Sequence, residues 1–290
     1  VKHGGLGGLP CRLDALFAAR RVEGKKVLVA YLCIGDPSIE ESLELARACI
    51  RAGADVLELG VPFSDPSADG PTIARAGQRA IAAGGGYTAT LGVARALREE
   101  SDTPMVLFGY YNPIFVRGEA RAVKEAADAG ADALLVVDLP IDASTAMRDE
   151  AATHGVAIIP MLAPTSSPDR IERVRDAATK WPIGFVYYVS VAGVTGTAAV
   201  RADEAGARAA ALRADLGLPV VVGFGIDCGE KARDAGAHVD GVVVGTAIVR
   251  LIEEGKTPEE RLRRVTHLVA ELRLGLDGGL ESDREASASR

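Results

Sequence analysis

The sequence predicts a (β/α)8 barrel of the TIM type, an α/β fold, and three observations lead there. Eight short apolar runs alternate with helical stretches along roughly 250 residues, the usual length of such a barrel. Each run is apolar on both faces, as strands of a covered parallel sheet must be. The phrase A-G-A-D or A-G-A-H recurs at 52–55, 129–132 and 235–238, where Gly ends a helix and lets the chain reverse into a strand. An open doubly wound sheet is the second reading, but it rarely needs eight alternations.

In chain order, residues 1–10 (V-K-H-G-G-L-G-G-L-P) read as a flexible leader and 11–274 as a single barrel domain. An extra N-terminal helix over 11–24, with Leu13, Leu16 and Phe17 at helical spacing, is placed to cap the barrel floor. The first strand, 27–32, stops at G-D-P (35–37). Ser38 then opens a helix to Ala52, with Glu41 at the capping-box distance. The second strand is 56–59, and helices at 72–83 and 88–100 flank the turn G-G-G at 84–86. The third strand is 104–110, followed by Y-N-P and a helix over 119–129. The fourth strand (133–140) precedes a helix at 144–154. The fifth (156–162) precedes one that starts at Ser167-Pro168, where Pro suits the first turn. The sixth strand, 185–190, leads into V-A-G-V-T-G-T and an Ala-rich helix at 203–216. The seventh, 219–225, has a short helix at 229–235. The eighth, 240–246, is followed by a short helix over 246–253 and a longer one over 258–274. Residues 275–290 are polar and aperiodic and read as a disordered tail.

A net charge of −7 argues against general nucleic-acid or anionic-membrane binding, though not against one small anion held locally. The four cysteines and four histidines have no C-x-x-C pair and no metal-ligand spacing, so no metal is expected. No apolar run approaches the ~20 residues of a membrane span, and the Gly-rich start does not read as a signal peptide. A reduced cytoplasmic setting is the expectation.

Barrel enzymes place their chemistry at the C-terminal ends of the strands. The stretch 55–71, D-V-L-E-L-G-V-P-F-S-D-P-S-A-D-G-P, stands out there. Glu58 lies inside an apolar strand, where an acid is costly unless paired or used, and Asp69 follows in a long loop. Each has a plainer reading, Glu58 as a structural acceptor and Asp69 as an Asx turn. Gly196, Gly225 and Gly245 lie in the loops after strands six to eight, and Thr246 opens a short helix. Together they make a phosphate cradle of backbone N–H groups without Lys or Arg. Tyr31, Phe108, Tyr110 and Phe224 stand at strand ends, where they line a pocket for a flat apolar substrate or simply fill the core. Only one of Tyr187 and Tyr188 can face inward, and alternation does not choose between them.

The segment 58–73, E-L-G-V-P-F-S-D-P-S-A-D-G-P-T-I, closely resembles the signature of the tryptophan synthase α subunit family. G-D-P at 35–37, Y-Y-N-P at 110–113, S-V-A-G-V-T-G at 190–196, G-F-G-I at 223–226 and G-T-A-I-V at 245–249 match the same family in order, over roughly residues 12–272. The resemblance implies a barrel that cleaves indole-3-glycerol phosphate to indole and glyceraldehyde 3-phosphate. It would hold no cofactor of its own and pass indole to a pyridoxal-phosphate β subunit in an α2β2 complex. It implies Glu58 as the general acid–base, Asp69 as the partner of the indole N–H, and Tyr187 as the active-site tyrosine. Tyr31, Ile73, Phe108, Tyr110, Thr195 and Phe224 fall on substrate positions, Gly196, Gly225, Gly245 and Thr246 on phosphate positions. Pro62, Asp65, Asn112 and Pro140 fall on partner-facing ones. Ser67 departs from the bulky apolar residue usual at its place, Thr246 from the usual Ser, and Val191-Ala192 are less polar than in many relatives.

Three rivals remain at this level. One keeps the barrel and phosphate site but changes the reaction, to a sugar-phosphate isomerase or an aldolase; a Schiff-base aldolase would need Lys at a strand end, and none of the eight carries one. A barrel kept only to activate the β subunit would not need two poised acids. A stand-alone indole-3-glycerol phosphate lyase shares the same active-site residues.

Overall fold

A computed structural model describes residues 11–189, 202–223 and 225–278. The expected leader, Thr195, Gly196, Phe224, Val191-Ala192 and the tail beyond 278 therefore lie outside the described residues. The strands are β1 (Val27–Cys33), β2 (Val56–Gly60), β3 (Met105–Gly109), β4 (Ala133–Val136), β5 (Ala157–Ile158), β6 (Met161–Leu162), β7 (Val186–Val189), β8 (Val220–Gly223) and β9 (Gly241–Val244). All pair in parallel, in the order β5-β4-β3-β2-β1-β9-β8-β7-β6.

The nine pieces make eight barrel positions, because the expected fifth strand, 156–162, is split. Its first half pairs with β4 and its second with β7. Between them the Ile159 N–H donates to the Leu134 carbonyl at 2.9 Å, and the Tyr187 N–H donates to the Pro160 carbonyl at 3.0 Å. Pro160 has no N–H to give to a ladder, so the pairing changes sides there and the barrel closes. Several strands are shorter than expected. The fourth ends at Val136 rather than 140, since Val137 to Pro140 already turn toward a short 3₁₀ segment at Ile141–Ala143.

Period two decides which side chains fill the barrel. Val29 of β1, Val56 of β2, Val106 of β3, Leu135 of β4, Ile159 and Val243 of β9 belong to one inner cluster, while Leu28, Leu57, Leu107 and Leu134 belong to the outer layer packed under the helices. The helices are α1 (Arg12–Val22), α2 (Ile39–Arg51), α3 (Pro71–Ala82), α4 (Tyr87–Glu100), α5 (Tyr111–Arg117), α6 (Glu119–Asp128), α7 (Thr145–Thr153), α8 (Pro168–Ala178), α9 (Ala202–Leu216), α10 (Gly229–Gly236), α11 (Thr246–Glu254) and α12 (Pro258–Leu276). Ser38 accepts from the Glu41 N–H at the start of α2, as the capping box requires. One helix, α5, was not expected: Y-N-P follows the third strand with no element assigned to it, but Pro113 falls in a first helical turn, where its missing N–H costs nothing.

The N-terminal helix α1 closes the floor. Leu13 and Phe17 are buried in the inner cluster, and the Phe17 ring lies 5.6 Å from Phe185. Its arginines reach three buried aspartates, each just before a strand: Arg12 pairs with Asp132 at 3.0 Å, Arg20 with Asp55, and Arg21 with Asp240 at 3.5 Å. Each aspartate also accepts an N–H from the start of the preceding barrel strand: Asp132 from Met105, Asp55 from Leu28 and Asp240 from Val220. Two of them end the recurrent A-G-A-D phrase, whose Gly53 and Gly130 take positive φ of 105° and 83° that a side chain would resist. The third phrase differs, because Gly236 still lies inside α10 and Asp240, not His238, takes the floor position.

Candidate active site

At the opposite mouth a cavity of about 150 Å³ is lined by Tyr31, Glu58, Asp69, Ile73, Phe108, Tyr187, Gly223, Gly225, Ile226, Val243, Gly245 and Thr246. Glu58 enters it because β2 alternates: Leu57 and Leu59 turn out to the helices and Glu58 turns in. It pairs in register with Tyr31 on one side and Val106 on the other. The side chain is 1% exposed, and its Oε1 is the one buried side-chain polar atom among the described residues without a hydrogen-bond partner. Burial without a compensating donor disfavours the charged form and pushes the carboxyl up to about 8. A protonated carboxylic acid near neutral pH, with an oxygen unclaimed by the protein, is suited to giving a proton to something in the cavity.

The cavity wall is aromatic. Tyr31 meets Phe108 edge-on with centroids 5.4 Å apart, and Phe108 lies 6.5 Å from Tyr187. Gly60 makes room for this wall: a Cβ there would stand 2.7 Å from the Tyr31 Cζ. Tyr187 faces in and Tyr188 packs outward against the helices, which settles the choice that alternation left open. Burial raises both the Tyr31 and Tyr187 hydroxyls well above their ordinary range, so they stay neutral donors.

Asp69 rides the loop between β2 and α3, half-buried at the cavity edge. Burial raises its carboxyl, and a hydrogen bond from Tyr110 opposes that rise. The loop is built from short local bonds, Ser67 N–H to the Asp65 carbonyl and Asp69 N–H to the Pro66 carbonyl, and it opens α3 through Pro71 at its first turn. Tyr110 does not line the cavity. Its hydroxyl accepts from the Ala68 N–H at 3.0 Å and so holds the loop that carries Asp69. Ile73, one turn into α3, does line the cavity.

The far wall is backbone. Gly223 at the end of β8, Gly225 after it, and Gly245 with Thr246 at the start of α11 bring peptide groups and a helix N-terminus to the cavity, a setting that favours an anion. Val243 was not singled out from sequence, yet it shares the inward parity of Gly241 and Gly245, and that parity is the signal that would have found it. Among the described residues no three His, Cys, Asp or Glu are placed to hold a metal ion.

The expected partner-facing positions follow three neighbouring strands. Asp65, Asn112 and Pro140 are exposed, in the segments after β2, β3 and β4. Pro62 is buried, so it can shape the loop but offers little surface. Beside Asn112, α5 exposes Phe115 (63%) and Val116 (78%), which the sequence reading did not pick out. The Tyr111 N–H donates to Asp138 at 2.7 Å and ties the segments after β3 and β4 together.

Known proteins match this chain along nearly its whole length. A family model described as tryptophan synthase alpha chain matches residues 17–276. The tryptophan synthase alpha chains of Thioalkalivibrio sulfidiphilus and Citrifermentans bemidjiense are each 43% identical, the first over 92% of this chain and 99% of its own, the second over 91% and 97%. The crystal structure of tryptophan synthase subunit alpha from Legionella pneumophila superposes with a TM-score of 0.85 at 34% identity, covering 93% of this chain and all of that one.

Proposed function

We infer how this site works from one premise: the chain belongs to the tryptophan synthase alpha chain family. It is therefore a carbon–carbon lyase of tryptophan biosynthesis that cleaves indole-3-glycerol phosphate to indole and glyceraldehyde 3-phosphate, beside a β subunit. The observation that carries the residue roles is Glu58, a buried acid in the cavity wall with an unpaired oxygen and a raised pKa.

Cleavage must break the bond between indole C3 and the glycerol chain. Protonation at C3 destroys the aromaticity of the ring and leaves positive charge on the indole nitrogen. Glu58 in its acid form gives that proton. The Asp69 carboxylate accepts the indole N–H and offsets the developing charge, an electrostatic stabilisation made at the moment it is needed. As the bond breaks, its electron pair returns to the ring. The glycerol hydroxyl next to the bond loses its proton and becomes the aldehyde of glyceraldehyde 3-phosphate. Glu58, now a carboxylate, takes that proton and is restored. Tyr31, Phe108, Tyr187 and Ile73 enclose the flat ring. Gly225, Gly245 and Thr246 hold the phosphate, and Gly196, Thr195 and Phe224, outside the described residues, complete those two ends.

The chain carries no cofactor in this reading; pyridoxal phosphate belongs to the β subunit, in an α2β2 assembly in the cytoplasm. Among the described residues no helix is long and apolar enough to cross a membrane. Asp65, Asn112 and Pro140, with exposed Phe115 and Val116, form the partner surface. That exposed apolar pair favours a partnered enzyme over a stand-alone lyase.

Glu58→Gln keeps the size of the side chain and removes the transferable proton. It is expected to abolish indole release while the protein still folds and binds glycerol 3-phosphate, assayed with and without a β subunit. Near-wild-type turnover in that variant would sink the assignment.

A further inference from the structure

Two ends of one substrate must be held at a fixed separation, and they are held by different elements. Asp69 and Ile73 belong to the loop and first turn of α3; Thr246 is the first residue of α11. These two helices are joined by a clasp outside the cavity. Arg79 of α3 lays its guanidinium flat against Asp36, with Nε to Oδ1 and Nη2 to Oδ2 both at 2.8 Å, and gives its remaining Nη1 to Glu253 of α11 at 2.9 Å. Arg75, one turn earlier on α3, closes on the same Glu253 through Nε and Nη2 at 2.7 and 2.8 Å. Beneath the clasp, Ala76 and Ala80 of α3 pack with Val249 of α11, Tyr31 and Cys33 in one small apolar cluster.

We propose that Arg79 is a positioning residue, which with Asp36 and Glu253 locks the helix that follows Asp69 to the helix that opens at the phosphate end, and so fixes the span between the groups holding the two ends of the substrate. The proposal rests on the roles given above to Asp69 and Thr246.

The chemistry of the three groups supports a lock rather than a loose surface pairing. Asp36 is 1% exposed, and Arg79 takes both its oxygens in a fork whose planarity fixes direction as well as distance. Asp36 sits just beyond β1, the strand that carries Tyr31 in the cavity wall, so the clasp is anchored to the barrel itself. Glu253 is shared by two arginines, which hold its carboxyl down to about 2 and keep it charged at any working pH. A bidentate, shared network of this kind is the setting in which ion pairs do restrict geometry. Misplacement of a bound group by about 1 Å, even from a change far from the reacting atoms, can cost about a hundredfold in rate.

Glu253 gives the cleanest test, because it lies at the rim and its loss leaves no buried charge. Glu253→Ala, an acceptable helix residue, is expected to lower kcat/KM for indole-3-glycerol phosphate cleavage by about ten- to a hundredfold, mostly in kcat, since alignment is lost rather than either end's contact. Affinity for glycerol 3-phosphate alone should change by less than about twofold on the same reasoning. Glu253→Gln, which keeps one acceptor for Arg79, should recover part of the rate. Arg79→Met should lose at least as much, and adding Glu253→Ala to it should lose little more, as parts of one unit do. Arg20→Met, in an ion pair at the opposite mouth, should lower the Tm without changing kcat or KM. A wild-type kcat/KM in Glu253→Ala, or a lowered Tm with unchanged kinetics, overturns the proposal. So does a loss of glycerol 3-phosphate affinity as large as the loss of kcat/KM, which would confine the clasp to the phosphate end. Glu58→Gln in the same assay separates the two levels of inference. Turnover retained there defeats the site reading itself, whereas an inactive Glu58→Gln beside a wild-type Glu253→Ala defeats the clasp alone.

Discussion

Glu58 is the residue at which folding and chemistry pull in opposite directions. Burial pushes its carboxyl up to about 8 in the folded chain, against about 4.3 for an unfolded one. Below the lower value both states are protonated and the residue carries no charge penalty. Between the two values the folded state holds a proton that the unfolded state has released, so stability falls as pH rises; above 8 the full penalty is in place. Glu58→Gln cannot ionise, so its stability relative to wild type should grow across that window. At about 1.4 kcal/mol per pKa unit the gain is a few kcal/mol. Urea unfolding of both proteins at about pH 5 and pH 9 checks it, and a gap that does not widen refutes the raised pKa. The acid itself was legible in the sequence, because a lone carboxylate in an apolar strand demands a reason. The company it keeps was less so. Tyr187 and Tyr188 differ only in which face of β7 they occupy, and that is decided by the neighbouring strands. Tyr110 falls at a strand end like Phe108, yet reaches back to the Asp69 loop instead of the cavity.

Among the elements, α1 and the strands it plugs show how much the repeated phrase meant and how much it hid. A-G-A-D announces a helix stop and a strand start, which periodicity also announces. It does not announce that Asp55 accepts the Leu28 N–H at 2.8 Å while Arg20 and Arg273 hold it from two helices far apart in sequence. A lost buried carboxylate leaves that N–H without its acceptor and takes from Arg20 and Arg273 the carboxylate that joins them. Asp55→Ala is therefore expected to cost about 3–5 kcal/mol, the range for breaking one side of a buried ion pair. Because the floor is at the opposite mouth, kcat and KM for cleavage should hold in the folded fraction. Chemical denaturation paired with the indole assay measures both, and a drop in kcat at unchanged stability contradicts the division of labour between the two mouths. Other elements escaped the sequence for local reasons. α5 hid behind Y-N-P, whose Pro suits a turn and a first helical turn equally. The split of the fifth strand hid in the run 156–162, because Pro160 marks a missing N–H but does not say that the strand changes partners there.

On the scale of the whole molecule, the order of strands around the barrel arranges the reaction in space. Glu58 and Asp69 come from β2 and its loop, Phe108 from β3, while the glycines and Thr246 for phosphate follow β8 and β9 across β1. On the roles proposed above, the ring end of the substrate would lie toward β2 and β3, and the exposed segments proposed to meet the partner follow β2, β3 and β4. On the proposed roles, the product that a partner would consume would leave on the side where the partner would dock, with the phosphate held on the other. Phe115 stands on that docking side, 63% exposed on a short helix pinned by the Tyr111–Asp138 bond. Its ring meets Tyr111 at 5.7 Å but leaves most of its surface to solvent, and such an aromatic would be a binding anchor in a complex. Phe115→Asp should leave the fold and the cleavage rate of the isolated chain unchanged. It should weaken association with the β subunit by at least about tenfold, since anchor residues cost more than ~1.4 kcal/mol when lost. Titration calorimetry against a β subunit, beside the indole assay of the chain alone, reads the two effects separately. Undiminished affinity in Phe115→Asp would move the partner surface away from α5 and with it the argument that indole leaves on the β2–β4 side.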